Sequence, residues 1–110
     1  MELKNFFYGK EIPFVDLGEG VKRRVLSHYE NLMYVEVCFE KGSAGALHSH
    51  PHEQMTYVLE GVFEFNLAGE KKVVKSGDSI YFEPNILHET MCLEKGKLLD
   101  VFSPHREDFL

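Results

Sequence analysis

Apolar and polar side chains alternate along most of this chain with a period of two, the spacing of a half-buried β-strand. Phe63, Phe65 and Leu67 stand against Glu64 and Asn66, and Ala68-Gly69-Glu70 reads as a hairpin loop into a strand over 71–75. Residues 32–40 put Met33, Val35, Val37 and Phe39 on one face and Leu32, Tyr34, Glu36 and Cys38 on the other. Both faces are largely apolar, which predicts that both are covered. Upstream, Phe6, Phe7, Tyr8, Ile12 and Phe14 form an extended aromatic arm. Gly18-Glu19-Gly20 turns the chain, and 21–26 makes a strand closed by the turn-like His28-Tyr29-Glu30-Asn31. Downstream, 55–60 reads as a strand stopped at Gly61, and 79–83 as a short strand between the turns Gly77-Asp78 and Pro84-Asn85. Residues 87–93 and 98–102 read as a hairpin around Glu94-Lys95-Gly96-Lys97. No stretch of helical length carries a 3.6-residue period with caps. The chain is therefore all-β, with roughly nine to eleven short strands in a sandwich or a barrel.

The segment 42–61 departs from plain alternation. His48 and His50 are one residue apart, so on a strand they leave the same face with Cα atoms about 7 Å apart, within reach of one metal ion. A straight strand would carry Gln54 a further ~13 Å away. Pro51 lacks a ladder donor and forces a bend, after which Gln54 starts the next strand and faces back. Spacing alone leaves the adjacent Glu53 as the alternative oxygen donor. His88, opening the strand after Pro84-Asn85, supplies a third imidazole in the segment 77–92. Three His and one oxygen donor suit a divalent first-row ion, with Zn, Ni, Mn, Fe and Co all compatible.

Other polar residues have plainer readings. His28 and His105 fit structural or surface roles, His52 a supporting or surface role, and Cys92 core packing. Asp100 interrupts Leu98-Leu99-Asp100-Val101-Phe102 with the inward parity of Leu98 and Phe102. It is either one half of an ion pair with Arg106 or a general acid/base. Arg106, just past Ser103-Pro104, is either a surface charge or a cation at the cavity rim. Gln54 in place of a carboxylate leaves the charge of a dication uncompensated, which favours Lewis-acid over redox chemistry.

Segments 42–61 and 77–92 resemble the two motifs of the cupins: a glycine, His-x-His, an oxygen ligand and a glycine, then a glycine, a proline and a last His. The chain departs from that pattern at Gln54, where Glu is usual, and at Cys92, where Asn is frequent. Gln54, Leu99-Asp100-Val101-Phe102-Ser103-Pro104 and Arg106-Glu107-Asp108-Phe109 are further similar to the small cupins of pectin degradation. The resemblance implies a single jelly-roll domain over 1–110, a metal on His48, His50, Gln54 and His88, and ketonisation of 4,5-unsaturated uronate sugars. Asp100 and Arg106 would be the catalytic pair. A cupin dioxygenase and a non-catalytic sugar- or metal-binding cupin are the alternatives.

Length and charge narrow the partners. A chain of 110 residues is one domain, long enough to bury roughly 60% of its unfolded surface without staples. The net charge of −6 and the short basic runs Lys22-Arg23-Arg24 and Lys71-Lys72 argue against nucleic acid. An anionic substrate would need a local cation. Cys38 and Cys92 form no C-x-x-C pair and are too few to staple a secreted domain, and there is neither a signal-peptide-like start nor a membrane-length apolar run. The expectation is a cytoplasmic protein away from membranes. On strand 55–60, Gln54, Thr56 and Val58 would point inward, leaving Met55, Tyr57 and Leu59 as an apolar outer face. That face predicts a homodimer, with the arm over 1–15 packed on the partner.

Overall fold

The computed structural model describes residues 3–110, so the first two positions of the arm lie outside the described residues. Eight antiparallel strands follow one another: β1 (Val15–Gly18), β2 (Val21–His28), β3 (Met33–Phe39), β4 (Ala44–His48), β5 (Glu53–Leu67), β6 (Glu70–Lys75), β7 (Ser79–Phe82) and β8 (His88–Ser103). Short 3-10 turns occupy Gly9–Glu11 and Glu107–Phe109. The strands run in the order β1-β2-β3-β8-β5-β6, with β4 added to β8 and β7 to β5.

The architecture rests on β5 and β8, which pair along almost their whole lengths. The first half of β5 also holds β7 and its second half holds β6. The second half of β8 likewise holds β3 and its first half β4. The two long strands thus run through both layers of a jelly roll, and each bends where it passes between them. Register shifts between Val58 and Phe63 mark the bend in β5.

This corrects two sequence expectations. Gly61 does not stop a strand and 94–97 is not a hairpin turn, so the expected nine or more strands are eight. The two glycines face each other at the crossing. A Cβ on Gly61, whose φ is +88°, would lie 2.6 Å from the carbonyl oxygens of Glu94 and Lys95, and one on Gly96 would collide with the Glu60 carbonyl. The signals read as turns are where two backbones touch.

The core is Met33, Val35, Val37, Phe39, Val58, Phe63, Phe65, Phe82, Cys92, Leu98 and Phe102. Cys92 is a core residue, as expected. The second face of β3 differs from expectation: Tyr34 is exposed, and the preceding Leu32 with it. Glu36 on that face is buried under Arg24, at 2.6 Å, whose guanidinium also donates to the Gly9 and Ile12 carbonyls. Lys22 and Arg24 both sit over the Phe14 ring. The arm is thereby tied to its own barrel at Phe14, while Phe6 and Tyr8 remain exposed.

Candidate metal centre

The metal segment folds as its residues dictate. β4 ends at His48, directly opposite His88 at the start of β8. The bend after His50 brings the chain back as β5, and the His50 carbonyl accepts the Asn85 N–H at 2.8 Å. Asn85 adopts φ +66°, a left-handed position that Asn tolerates better than most residues. The turn before His88 is thus hydrogen-bonded to the loop carrying His50. One nitrogen from each of His48, His50 and His88 lies within 4.8 Å of the others.

The hydrogen bonds select which nitrogen faces inward. Nδ1 of His48 lies 2.6 Å from the Ala46 carbonyl, that of His50 3.2 Å from the His52 carbonyl, and that of His88 3.0 Å from the Ile86 carbonyl. A carbonyl only accepts, so Nδ1 of His48 and of His88 carries the proton and their Nε2 atoms keep a lone pair, whereas His50 has an acceptor at each ring nitrogen, the His52 carbonyl and the Gln54 amide oxygen. Burial lowers the pKa of His50, with help from the Arg106 charge, and pushes that of His88 down to about 4. Neutral imidazoles with free Nε2 atoms are the form that binds a metal.

Gln54 completes the set. Its amide nitrogen donates to Thr56 Oγ1 at 2.9 Å and to Asp100 Oδ1 at 3.3 Å, which turns Oε1 towards His50 Nε2 at 2.9 Å. The amide cannot be reversed without setting its oxygen against a carboxylate. Gln54, not Glu53, therefore turns an oxygen towards the histidines; Glu53 lies on the outer face and accepts the Tyr81 hydroxyl at 2.5 Å. His52 is not a member of the cluster and packs its ring against His50 and Phe102. The residues present fit a divalent ion: three imidazoles and one amide oxygen, all uncharged.

Asp100 lies directly opposite Thr56 in the β5–β8 ladder and accepts its hydroxyl at 2.6 Å. The ion pair between Asp100 and Arg106, one of two readings of these residues, does not form. Arg106 instead binds Asp108, Nε to Oδ1 at 3.2 Å and Nη2 to Oδ2 at 2.7 Å. Burial pushes the Asp100 pKa up to about 6, against the opposing effects of its bonds to Thr56 and Gln54 and of the Arg106 charge. His48, His88, Gln54, Asp100 and Arg106 all line one cavity of about 180 Å³. Sequence reasoning missed another member of that cavity, Arg23, which had been counted only as part of a basic run. Its place between Val21 and Val25 gives it inward parity, a signal that was available.

Comparison with known proteins agrees with this geometry. A family profile described as the cupin domain matches residues 35–102. The chain belongs to the cupin family. This cupin is 41% identical to the pectin degradation protein KdgF of Dickeya dadantii, across 98% of its own length and 100% of the relative's. It superimposes on an RmlC-like cupin from Shewanella frigidimarina with a TM-score of 0.93 at 41% identity, covering 98% of this chain and 97% of that one. The structure of KdgF from a Halomonas species matches with a TM-score of 0.92 at 36% identity, covering 98% of this cupin and all of that chain. Among the described residues no helix is long and apolar enough to cross a membrane.

Proposed function

We propose that this cupin opens and ketonises 4,5-unsaturated uronate monosaccharides, of the kind released when pectin or alginate is cleaved, with the help of a divalent transition metal on His48, His50, Gln54 and His88. One observation carries the reading: the Asp100 carboxylate is hydrogen-bonded to the amide of a candidate metal ligand, in the same small cavity as Arg106. Full-length similarity to a protein named for pectin degradation supports the substrate class. A cavity of about 180 Å³ suits a ligand smaller than the ~300–1,000 Å³ pockets of drug-sized molecules, a monosaccharide rather than a polymer.

A bound dication would supply Lewis acidity towards a hydroxyl or carbonyl oxygen of the sugar, undiminished by any charged ligand. Arg106 binds the uronate carboxylate. Ionised Asp100 removes the proton of the O1 hydroxyl while the C1–O5 bond breaks. The electron pair of that bond stays on O5, leaving an aldehyde at C1 and an enolate at C5. The same carboxyl returns the proton to C4, which turns the enolate into a ketone, so the product is an isomer of the substrate. A group titrating near neutrality can serve as base and then acid in one turnover.

The reaction destroys a conjugated chromophore. Adding unsaturated galacturonate and following its ultraviolet absorbance should show a decay accelerated by the wild type and not by Asp100→Ala or Arg106→Ala. Equal rates with and without protein would remove the proposal. The same reading includes a cytoplasmic setting, in keeping with the free thiols of Cys38 and Cys92, and a homodimer that covers Met55, Tyr57 and Leu59, which are 58%, 45% and 38% exposed. A monomeric mass by light scattering would refute the dimer.

A further inference from the structure

We infer that Arg23 is a second cation for the substrate carboxylate and makes the cavity selective for acidic over neutral sugars. The inference rests on the uronate reading and extends it to a residue outside the cupin motifs. Arg23 sits opposite Val37, which in turn faces Leu98 on β8, and this row is adjacent to the one that holds Val35, Asp100 and Thr56. The side chain therefore leaves β2 on the barrel's inner face, whereas its neighbour Arg24 leaves on the outer face to meet Glu36.

The two cavity arginines differ in what they already hold. Arg106 has two of its donors on Asp108. Arg23 makes no salt bridge and no side-chain hydrogen bond among the described residues. Its guanidinium lies 3.7 Å from the centre of the Phe109 ring, and that of Arg106 lies 4.1 Å from the same ring. The cation–π contact anchors the guanidinium over the ring, and its N–H groups, without a protein acceptor among the described residues, are left for a planar anion. Its pKa is lowered by burial and then by the Arg106 charge, with the Asp108 carboxylate opposing both. A half-buried cation whose nearby carboxylate, Asp108, is bonded to Arg106 instead is complementary to an anion brought by a ligand. Of the carboxylates lining the cavity, Glu89 is held by Asn66 and Asp100 by Thr56 and Gln54.

A purely structural cation–π contact to Phe109 would give the same picture without a ligand, and the experiment separates the two. Calorimetric titration of the protein as purified with D-galacturonate and with D-galactose measures acid preference directly. Wild type should prefer the acid by at least about tenfold, the lower end expected for one charge-assisted hydrogen bond. Arg23→Gln should lose about tenfold of that preference, keeping only what Arg106 contributes, while its affinity for galactose and its metal content stay at wild-type values, and Arg23→Lys should regain part of it. A structural role alone would lower both affinities together. Unchanged acid preference in Arg23→Gln, or no preference in the wild type, overturns the inference. Acid preference that depends on Arg23 without turnover of unsaturated galacturonate would sink the proposed reaction and leave the inference standing. Turnover with an unchanged KM in Arg23→Gln would do the reverse.

Discussion

Replacing Asp100 by Asn should change how stability depends on pH in the metal-free protein. Asp100 has a folded pKa of about 6 against an ordinary 3.8, so between those values the folded state holds more protons than the unfolded one. Stability from this group therefore falls as pH rises through the window, and the full penalty is present above the upper value. A shift of this size corresponds to about 3 kcal/mol. His88 acts in the opposite sense. Its folded pKa is about 4 against 6.5, so the unfolded state holds more protons and stability rises with pH, again by about 3 kcal/mol. Lowered by burial, His50 adds in the same direction as His88. In the wild type these contributions oppose one another and the profile is shallow. In Asp100→Asn only the histidine side remains. Urea denaturation in chelator at intervals from pH 4 to 6.5 reads the difference. The free energy of wild type minus variant should fall by about 2 kcal/mol across the range, the part of the full shift that pH 4 to 6.5 samples. A difference that stays constant would refute the assignment of Asp100 as a carboxyl destabilised by burial, and with it the source of its near-neutral titration.

Gln54→Glu would place a second carboxyl against Asp100, where the amide nitrogen now donates at 3.3 Å. Like charges at this range hold one carboxyl protonated, so metal retention against a chelator should increase while turnover near neutral pH drops by at least about tenfold. The acidic limb of the pH–rate profile should move to higher pH, and a limb left in place would contradict the coupling. Gly61→Ala should destabilise the fold by at least about 2 kcal/mol in chemical denaturation, since it combines a left-handed backbone with a Cβ 2.6 Å from two carbonyl oxygens. Wild-type stability in that variant would show that the crossing of β5 and β8 yields more readily than its packing implies.

Much of this molecule is legible in its alternation. The inward set Gln54, Thr56 and Val58 and the outward set Met55, Tyr57 and Leu59 follow from period two, because one strand face must be buried. The histidine cluster that could hold a metal is legible for the same reason, with Pro51 announcing the bend that brings Gln54 back. What escaped is long-range. Gly61 and Gly96 look like local punctuation and are instead a contact between strands distant in sequence. The Asp108 partner of Arg106 is two residues away, yet inward parity pointed to Asp100 instead. Thr56 was read as inward, but its hydroxyl bond to Asp100 depends on β5–β8 register, which only the folded sheet sets. Arg23 carried inward parity too, but a charge beside Lys22 and Arg24 was read as part of a short basic run.

The account stands most directly on the metal itself. Elemental analysis of the purified protein should find about one divalent transition-metal ion per chain, falling steeply in His50→Ala and in His88→Ala while both variants keep the β-rich circular dichroism of the wild type. Metal-free protein that cannot be loaded with Zn, Ni, Mn, Fe or Co, or alanine variants that retain a full complement, would contradict it.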